Sequence, residues 1–109
     1  MSLWRKLCSL KSLNIGSCNK ITFDNVRLIA YVICDKVYVI KSQCHHKRYP
    51  LYDGKIQIID NEPYIICPWH NRQISLRTGK VSNHDDIQHI YNTKIVDDDV
   101  LIEKTLRTN

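Results

Sequence analysis

Long apolar runs are missing from this sequence of 109 residues. No stretch approaches the roughly 20 consecutive apolar residues that a helix needs to cross a bilayer, which excludes a transmembrane segment. Charged and polar residues interrupt the apolar ones from Met1 to Cys8, so the start lacks the apolar centre of a secretory signal. We therefore expect a cytoplasmic protein that does not associate with a membrane.

The cysteines lack the even number and regular spacing of a disulfide framework, since there are five of them at scattered positions. Cys44 and Cys67 belong to the motifs described below, whereas Cys8, Cys18 and Cys34 lie in apolar or strand-like settings. A free cysteine in such a setting usually behaves as a small buried hydrophobic residue. We expect these three to be buried.

Acidic residues are scarce before residue 81, and the whole chain carries a net charge of +5. Residues 1–43 hold seven basic and two acidic residues, residues 44–80 six and three, and residues 81–109 three and six. There is neither a base-stacking motif nor a basic helix, so we expect no nucleic-acid partner. A basic face is instead suited to an acidic protein partner.

Helical periodicity is also absent, because no ten-residue stretch repeats its apolar residues every 3.6 positions. Short runs rich in valine, isoleucine and tyrosine alternate with turn residues, which is typical of strands. Strands are predicted at residues 4–10, 20–23, 26–34, 36–42, 55–59, 64–67, 72–76, 80–81, 89–96 and 100–104. The predicted fold class is all-β, an antiparallel sandwich or small barrel, in a single domain of residues 1–109.

Two cysteine–histidine pairs carry the chemistry. Cys44 and His46 form a Cys-x-His pair, Cys67 and His70 form a Cys-x-x-His pair, and residues 47–66 separate them. Each pair offers one thiolate and one imidazole to a common metal centre. Zinc accepts two cysteines and two histidines in a tetrahedral site. Iron–sulfur clusters also take thiolates, and iron takes imidazole, so the ligand set alone leaves these metals open.

The residues around the pairs resemble the Rieske [2Fe–2S] domain in its small ferredoxin form. Pro-Leu-Tyr-Asp-Gly follows the first pair at residues 50–54, Pro-Trp lies inside the second, and Thr-Gly-Lys-Val follows at residues 78–81. The resemblance covers nearly the whole chain. It implies a [2Fe–2S] cluster with Cys44 and Cys67 on one iron and His46 and His70 on the other. It also implies a sandwich or barrel with a small cluster-binding subdomain inserted at about residues 43–81.

The function implied by the resemblance is electron transfer. A Rieske-type ferredoxin carries single electrons from a reductase to a terminal oxygenase or other oxidoreductase, and we expect a monomer that is not itself an enzyme. Two other roles remain open: a redox or iron sensor, and a structural metal-binding subunit of a larger complex, holding zinc or a cluster. The Rieske-specific flanks weigh against structural zinc but not against the sensor.

Asn71 stands where the family usually has glycine after the second histidine, and asparagine tolerates the left-handed conformation better than most residues.

Six basic residues surround the pairs, and they either favour the reduced cluster and an acidic partner or form an ordinary solvated surface. They are Lys47, Arg48, Lys55, Arg72, Arg77 and Lys80.

We predict a reduction potential near the low end of the Rieske range, at roughly −150 mV. Tyr49 and Trp69 occupy the positions of the disulfide found in respiratory Rieske proteins, and Asn71-Arg72 stands where those proteins have a serine that donates to a cluster sulfur. Fewer hydrogen bonds to sulfur stabilise the reduced state less. A redox titration followed by EPR measures the potential, and a value well above zero contradicts the prediction.

Overall fold

A computed structural model describes residues 2–43, 50–52, 54–68, 71–83 and 87–105. Within these ranges the chain forms ten β-strands and one 3-10 helix, Leu10–Ser12. No helix among these residues is long and apolar enough to cross a bilayer. The strands are β1 Ser2–Ser9, β2 Asn19–Phe23, β3 Val26–Ile33, β4 Lys36–Lys41, β5 Lys55–Ile59, β6 Glu62–Ile66, β7 Gln73–Ser75, β8 Ile90–Tyr91, β9 Thr93–Val96 and β10 Asp99–Thr105. The all-β prediction is confirmed.

The strands form three antiparallel sheets. Their strand orders are β1-β10-β9, β2-β3-β4-β8 and β5-β6-β7. The third sheet comes entirely from the chain between β4 and β8, so it is an insertion into the sandwich made by the other two. This is the predicted architecture of a sandwich with a smaller unit inserted, and Cys67 directly follows β6 of that unit.

Strand β3 is buried on both faces because alternate side chains point to opposite sides of a sheet. Leu28, Ala30 and Val32 pack in one apolar cluster with Val100 and Ile102 of β10. The residues between them face a second cluster, which we call the loop-side core. It consists of Ile29, Tyr31, Ile40, Leu51, Ile65, Cys67, Ile74, Leu76 and Val81. Strand β3 therefore joins the sandwich to the inserted sheet.

Four hairpins turn on two residues that both have positive φ, the signature of a type I′ turn. They are Asp24-Asn25, Cys34-Asp35, Asp60-Asn61 and Asp97-Asp98, with φ between 50° and 67°. Asparagine and aspartate adopt this conformation more readily than other residues with a side chain. The turn predicted at residues 60–63 is shorter than expected, because Glu62 and Pro63 already belong to β6.

The predicted burial of Cys34 is wrong. Ile33 pairs with Lys36 in the β3–β4 hairpin, which leaves Cys34 and Asp35 as the turn and exposes the thiol to solvent. The strand predicted at residues 26–34 thus ends one residue early. Cys8 and Cys18 are half-buried rather than fully enclosed.

The single strand predicted at residues 89–96 is two strands in different sheets. Strand β8 pairs with β4, whereas β9 pairs with β10. Between them, the Asn92 side chain donates to the Glu103 carboxylate at 2.9 Å, and the Thr93 hydroxyl donates to the Val37 carbonyl at 2.6 Å. These bonds hold the chain as it crosses between sheets, and no glycine or proline marks the crossing in the sequence.

Replacing Cys34 with asparagine is expected to stabilise the protein by about 1 kcal/mol, because a left-handed conformation costs most residues with a β-carbon roughly that much. The midpoint of urea unfolding under reducing conditions measures the change. Asp60→Ala is the matched control, since Asp60 holds the same first turn position at φ 51° and its replacement should be destabilising. A Cys34→Asn variant no more stable than the parent contradicts the assignment of strain to this turn.

Candidate metal centre

Cys67 is the one predicted ligand that lies among the described residues; Cys44, His46 and His70 lie outside them. Cys67 directly follows β6, and none of its surface is exposed. The remaining geometry of the site comes from the residues that flank the two predicted ligand segments. We call residues 44–49 the first ligand segment and residues 68–71 the second.

Backbone hydrogen bonds close the base of the first ligand segment. Gln43 and Pro50 form an antiparallel bridge across it. The Leu51 N–H donates to the Ser42 carbonyl at 2.7 Å, and the Ser42 N–H donates to the Arg27 carbonyl at 3.0 Å. The two residues between which Cys44 and His46 lie are therefore fixed to each other and to the start of β3.

The second ligand segment is closed in the same way. The Cys67 N–H donates to the Arg72 carbonyl at 2.8 Å, so a backbone hydrogen bond joins the two ends of this segment. Asn71 has a φ of 51°, which confirms the expectation that it adopts the left-handed conformation in place of the usual glycine.

The bases of the two segments meet at Gly54. A Cβ atom on Gly54 would lie 2.5 Å from the Ile66 carbonyl oxygen and 3.0 Å from that of Leu51. The chain after the first segment thus passes directly against the residue before Cys67. Leu51 and Cys67 are both fully buried in the loop-side core. A centre with ligands from both segments requires this convergence.

Gln88 holds the residue that precedes the first ligand segment, a role that the sequence analysis did not predict. Its buried side-chain amide donates to the Gln43 carbonyl at 2.8 Å, and its N–H donates to the Gly79 carbonyl at 2.7 Å. Gly79 has a φ of 82°, and a Cβ there would lie 2.2 Å from the Gln88 carbonyl oxygen. Hydrophobicity alone favours burial of Ile87, which is 65% exposed, over its neighbour Gln88.

The surroundings of Cys67 suit a centre with no net charge. The buried polar side chains among the described residues are neutral, namely Asn19, Ser42, Ser75 and Gln88. Two ferric ions, two sulfides, two thiolates and two neutral imidazoles sum to zero, and so do one zinc ion and the same four ligands. A neutral centre avoids most of the cost of burying charge. The described residues therefore fit the cluster but do not separate it from zinc.

One of the six basic residues near the pairs is neutralised by a carboxylate. Arg77 and the Tyr64 hydroxyl both donate to Glu62, the latter at 2.6 Å. The Tyr64 hydrogen bond, followed by that of Arg77, holds the pKa of the Glu62 carboxyl below its usual value. The same contact with Glu62 raises the pKa of the Tyr64 hydroxyl. Arg77 thus connects the turn after β7 to the start of β6, and its exposed side chain fits the expectation of a solvated surface.

Comparison with known proteins identifies a shared domain. The model of the Rieske [2Fe-2S] domain family matches residues 3–96. A human Rieske domain-containing protein is 45% identical over 38 residues, which cover 35% of this chain and 24% of the human protein. The aligned part is therefore about a quarter of the human protein's length.

Solved structures have the same fold at low sequence identity. A proposed small subunit of an NADPH nitrite reductase matches with a TM-score of 0.81 at 20% identity, over 92% of this chain and 97% of its own. A proposed small subunit of an NADH-dependent nitrite reductase from Mycobacterium tuberculosis gives 0.82 at 11% identity, over 98% and 99%. A chain from the complex of oxygenase and ferredoxin in carbazole 1,9a-dioxygenase gives 0.72 at 20%, over 95% and 97%.

Gly54→Ala is expected to destabilise the protein by roughly 1–3 kcal/mol, as overpacking does, and to lower its metal content. The added methyl group would lie 2.5 Å from the Ile66 carbonyl oxygen, so the two segment bases would have to move apart. Thermal melting and metal per chain are the measurements. Gly16→Ala is the control: Gly16 has a positive φ, which Gly54 does not, but a Cβ at Gly16 would meet no atom within 4 Å. Equal metal loss in both variants would show that the close approach of the two segment bases at Gly54 is not required for metal binding.

Proposed function

The chain belongs to the Rieske [2Fe–2S] domain family, and we propose that it is a ferredoxin that carries single electrons from a reductase to a terminal oxygenase or other oxidoreductase. The [2Fe–2S] cluster is the family's cofactor. The observation that carries the proposal is the convergence of both ligand-segment bases at Gly54, beside the buried Cys67. We propose Cys44, His46, Cys67 and His70 as the ligands.

In this proposal Cys44 and Cys67 hold one iron, while His46 and His70 hold the other. The bound cluster supplies a site that accepts and releases one electron. The protein's part is to hold the four side chains in one arrangement. Hydrogen bonds at Ser42, Leu51 and Cys67 fix the segment bases, and the buried Gln88 braces Gln43. Second-layer contacts of this kind orient ligands and tune the centre.

The proposed partners are redox proteins, and the proposed ferredoxin is a monomer that catalyses no reaction alone. Two structural neighbours bear on this role: one is a proposed nitrite reductase small subunit, and the other comes from a complex of oxygenase and ferredoxin. We further propose that residues 1–109 act as one domain in the cytoplasm. The free thiols of Cys8, Cys18 and Cys34 accord with a reducing compartment.

Metal and sulfide analysis tests the cluster directly. Protein purified without oxygen should contain about two iron and two acid-labile sulfides per chain, with the visible and EPR spectra of a Rieske centre. A colourless protein that holds zinc and no sulfide would overturn the proposal in favour of a structural metal site. A cluster that exchanges no electrons with any reductase, but whose oxidation state changes the binding of another protein, would indicate a sensor.

His46→Cys is expected to retain a cluster with an altered visible spectrum and a lower potential, because a thiolate adds negative charge where a neutral imidazole stood. Spectroscopy and redox titration of the purified variant are the measurements. His45→Cys is the matched control, since it places the same thiol one residue away at a position outside the proposed ligand set. If both variants keep the parent's spectrum and potential, His46 is not a ligand.

A further inference from the structure

A groove of about 410 Å³ lies beside the first ligand segment. Its principal lining residues are Lys20, Thr22, Arg27, Gln43, Pro50 and Tyr52. We propose that this groove is where the redox partner docks, through a surface segment rich in aspartate or glutamate. The inference rests on the proposed electron-transfer function and names the chemistry of the partner's contact.

The register of β2 and β3 places basic side chains along one wall of the groove. Lys20 pairs with Ile29, and Thr22 pairs with Arg27. Cross-strand partners share a face of the sheet, and Ile29 belongs to the loop-side core. Lys20, Thr22 and Arg27 therefore lie on the sheet face that carries the ligand segments, but they remain exposed at its open end.

Tyr52 forms the opposite wall and holds Lys20 in place. The Lys20 ammonium lies 4.0 Å from the centroid of the Tyr52 ring, a cation–π contact. An ammonium has three N–H donors, and the ring occupies one side of it. The contact keeps the charge at the mouth of the groove and leaves donors to bind a carboxylate.

Among the described residues, no recorded ion pair neutralises the charges in the groove. The ion pairs recorded among the described residues are Arg5–Asp24, Lys6–Asp99 and Arg77–Glu62, and none of them includes Lys20 or Arg27. No aspartate or glutamate is among the described residues that line the groove. Two positive charges in a concave surface concentrate the field there. The Arg27 guanidinium also has the planar geometry that binds a carboxylate through two hydrogen bonds.

The groove is positioned for electron delivery. Gln43 and Pro50 line it, and the same two residues bound the first ligand segment, which contains Cys44 and His46. A partner seated in the groove therefore contacts the chain on both sides of two proposed ligands. A groove at the β3–β4 turn, lined by Lys36, Arg77 and Lys94, has no such connection to that segment.

Fluorescence anisotropy of a short, labelled oligoglutamate peptide, titrated with the iron-loaded protein at low salt, tests the proposal. The combined variant Lys20→Gln/Arg27→Gln should weaken binding about fivefold, as expected for the loss of two exposed charge contacts. Lys36→Gln/Lys94→Gln is the control. It removes the same charge, and Lys94 makes a comparable contact 4.3 Å from the Trp4 ring. The charge-preserving Lys20→Arg/Arg27→Lys variant should bind the peptide within about twofold of the parent.

Three outcomes would overturn the inference. Equal weakening by both charge-removing pairs would mean that net charge alone attracts the peptide. An oligothymidylate of equal charge that binds as tightly, with the same dependence on Lys20 and Arg27, would indicate a general anion site instead. The visible spectrum of each variant shows whether the cluster is present, and so distinguishes failure of the docking site from failure of the proposed function. An intact cluster with peptide binding indifferent to Lys20 and Arg27 refutes only the docking site, whereas a cluster-free parent refutes the ferredoxin.

Discussion

The close approach of two backbone segments at Gly54 is the constraint on which the proposed centre depends. Only a residue without a β-carbon lets the chain leaving the first ligand segment lie against the Ile66 carbonyl, one residue before Cys67. Hydrogen bonds at Ser42, Leu51 and Cys67 then close each segment separately. Because both closures are made by backbone atoms, the convergence does not depend on the metal ligands themselves.

Strand β3 connects this site to the rest of the molecule. One of its faces contributes Leu28, Ala30 and Val32 to the sandwich core, and the other contributes Ile29 and Tyr31 to the loop-side core that contains Cys67. A change in the packing of either apolar core can therefore alter the packing of the other, because both include side chains of β3. Such sharing explains how an insertion of three short strands remains ordered, since a small sheet alone has too little apolar surface for independent stability.

Sequence reasoning recovers the features that local chemistry dictates and misses those set by distant contacts. The Asp24-Asn25 turn and the left-handed Asn71 follow from the residue types themselves, and the motif flanks identify the domain family. The exposure of Cys34 depends on the register of a hairpin, which composition does not reveal. Gln88 is buried while Ile87 is exposed because the Gln43 carbonyl needs a donor. That requirement appears only when residues 45 positions apart are brought together.

Charge distribution links the site to its use. Arg5, Lys6 and Arg77 serve the fold, since each lies beside a carboxylate that neutralises it. Lys20 and Arg27 instead line a groove with Gln43 and Pro50, and no ion pair recorded among the described residues includes them. An added electron gives the proposed centre a charge of −1, which by itself opposes the approach of an acidic partner. Two positive charges beside the segment offset that repulsion. Exposed contacts of this kind are weak and screened by salt, which suits a carrier that must release each partner after one electron.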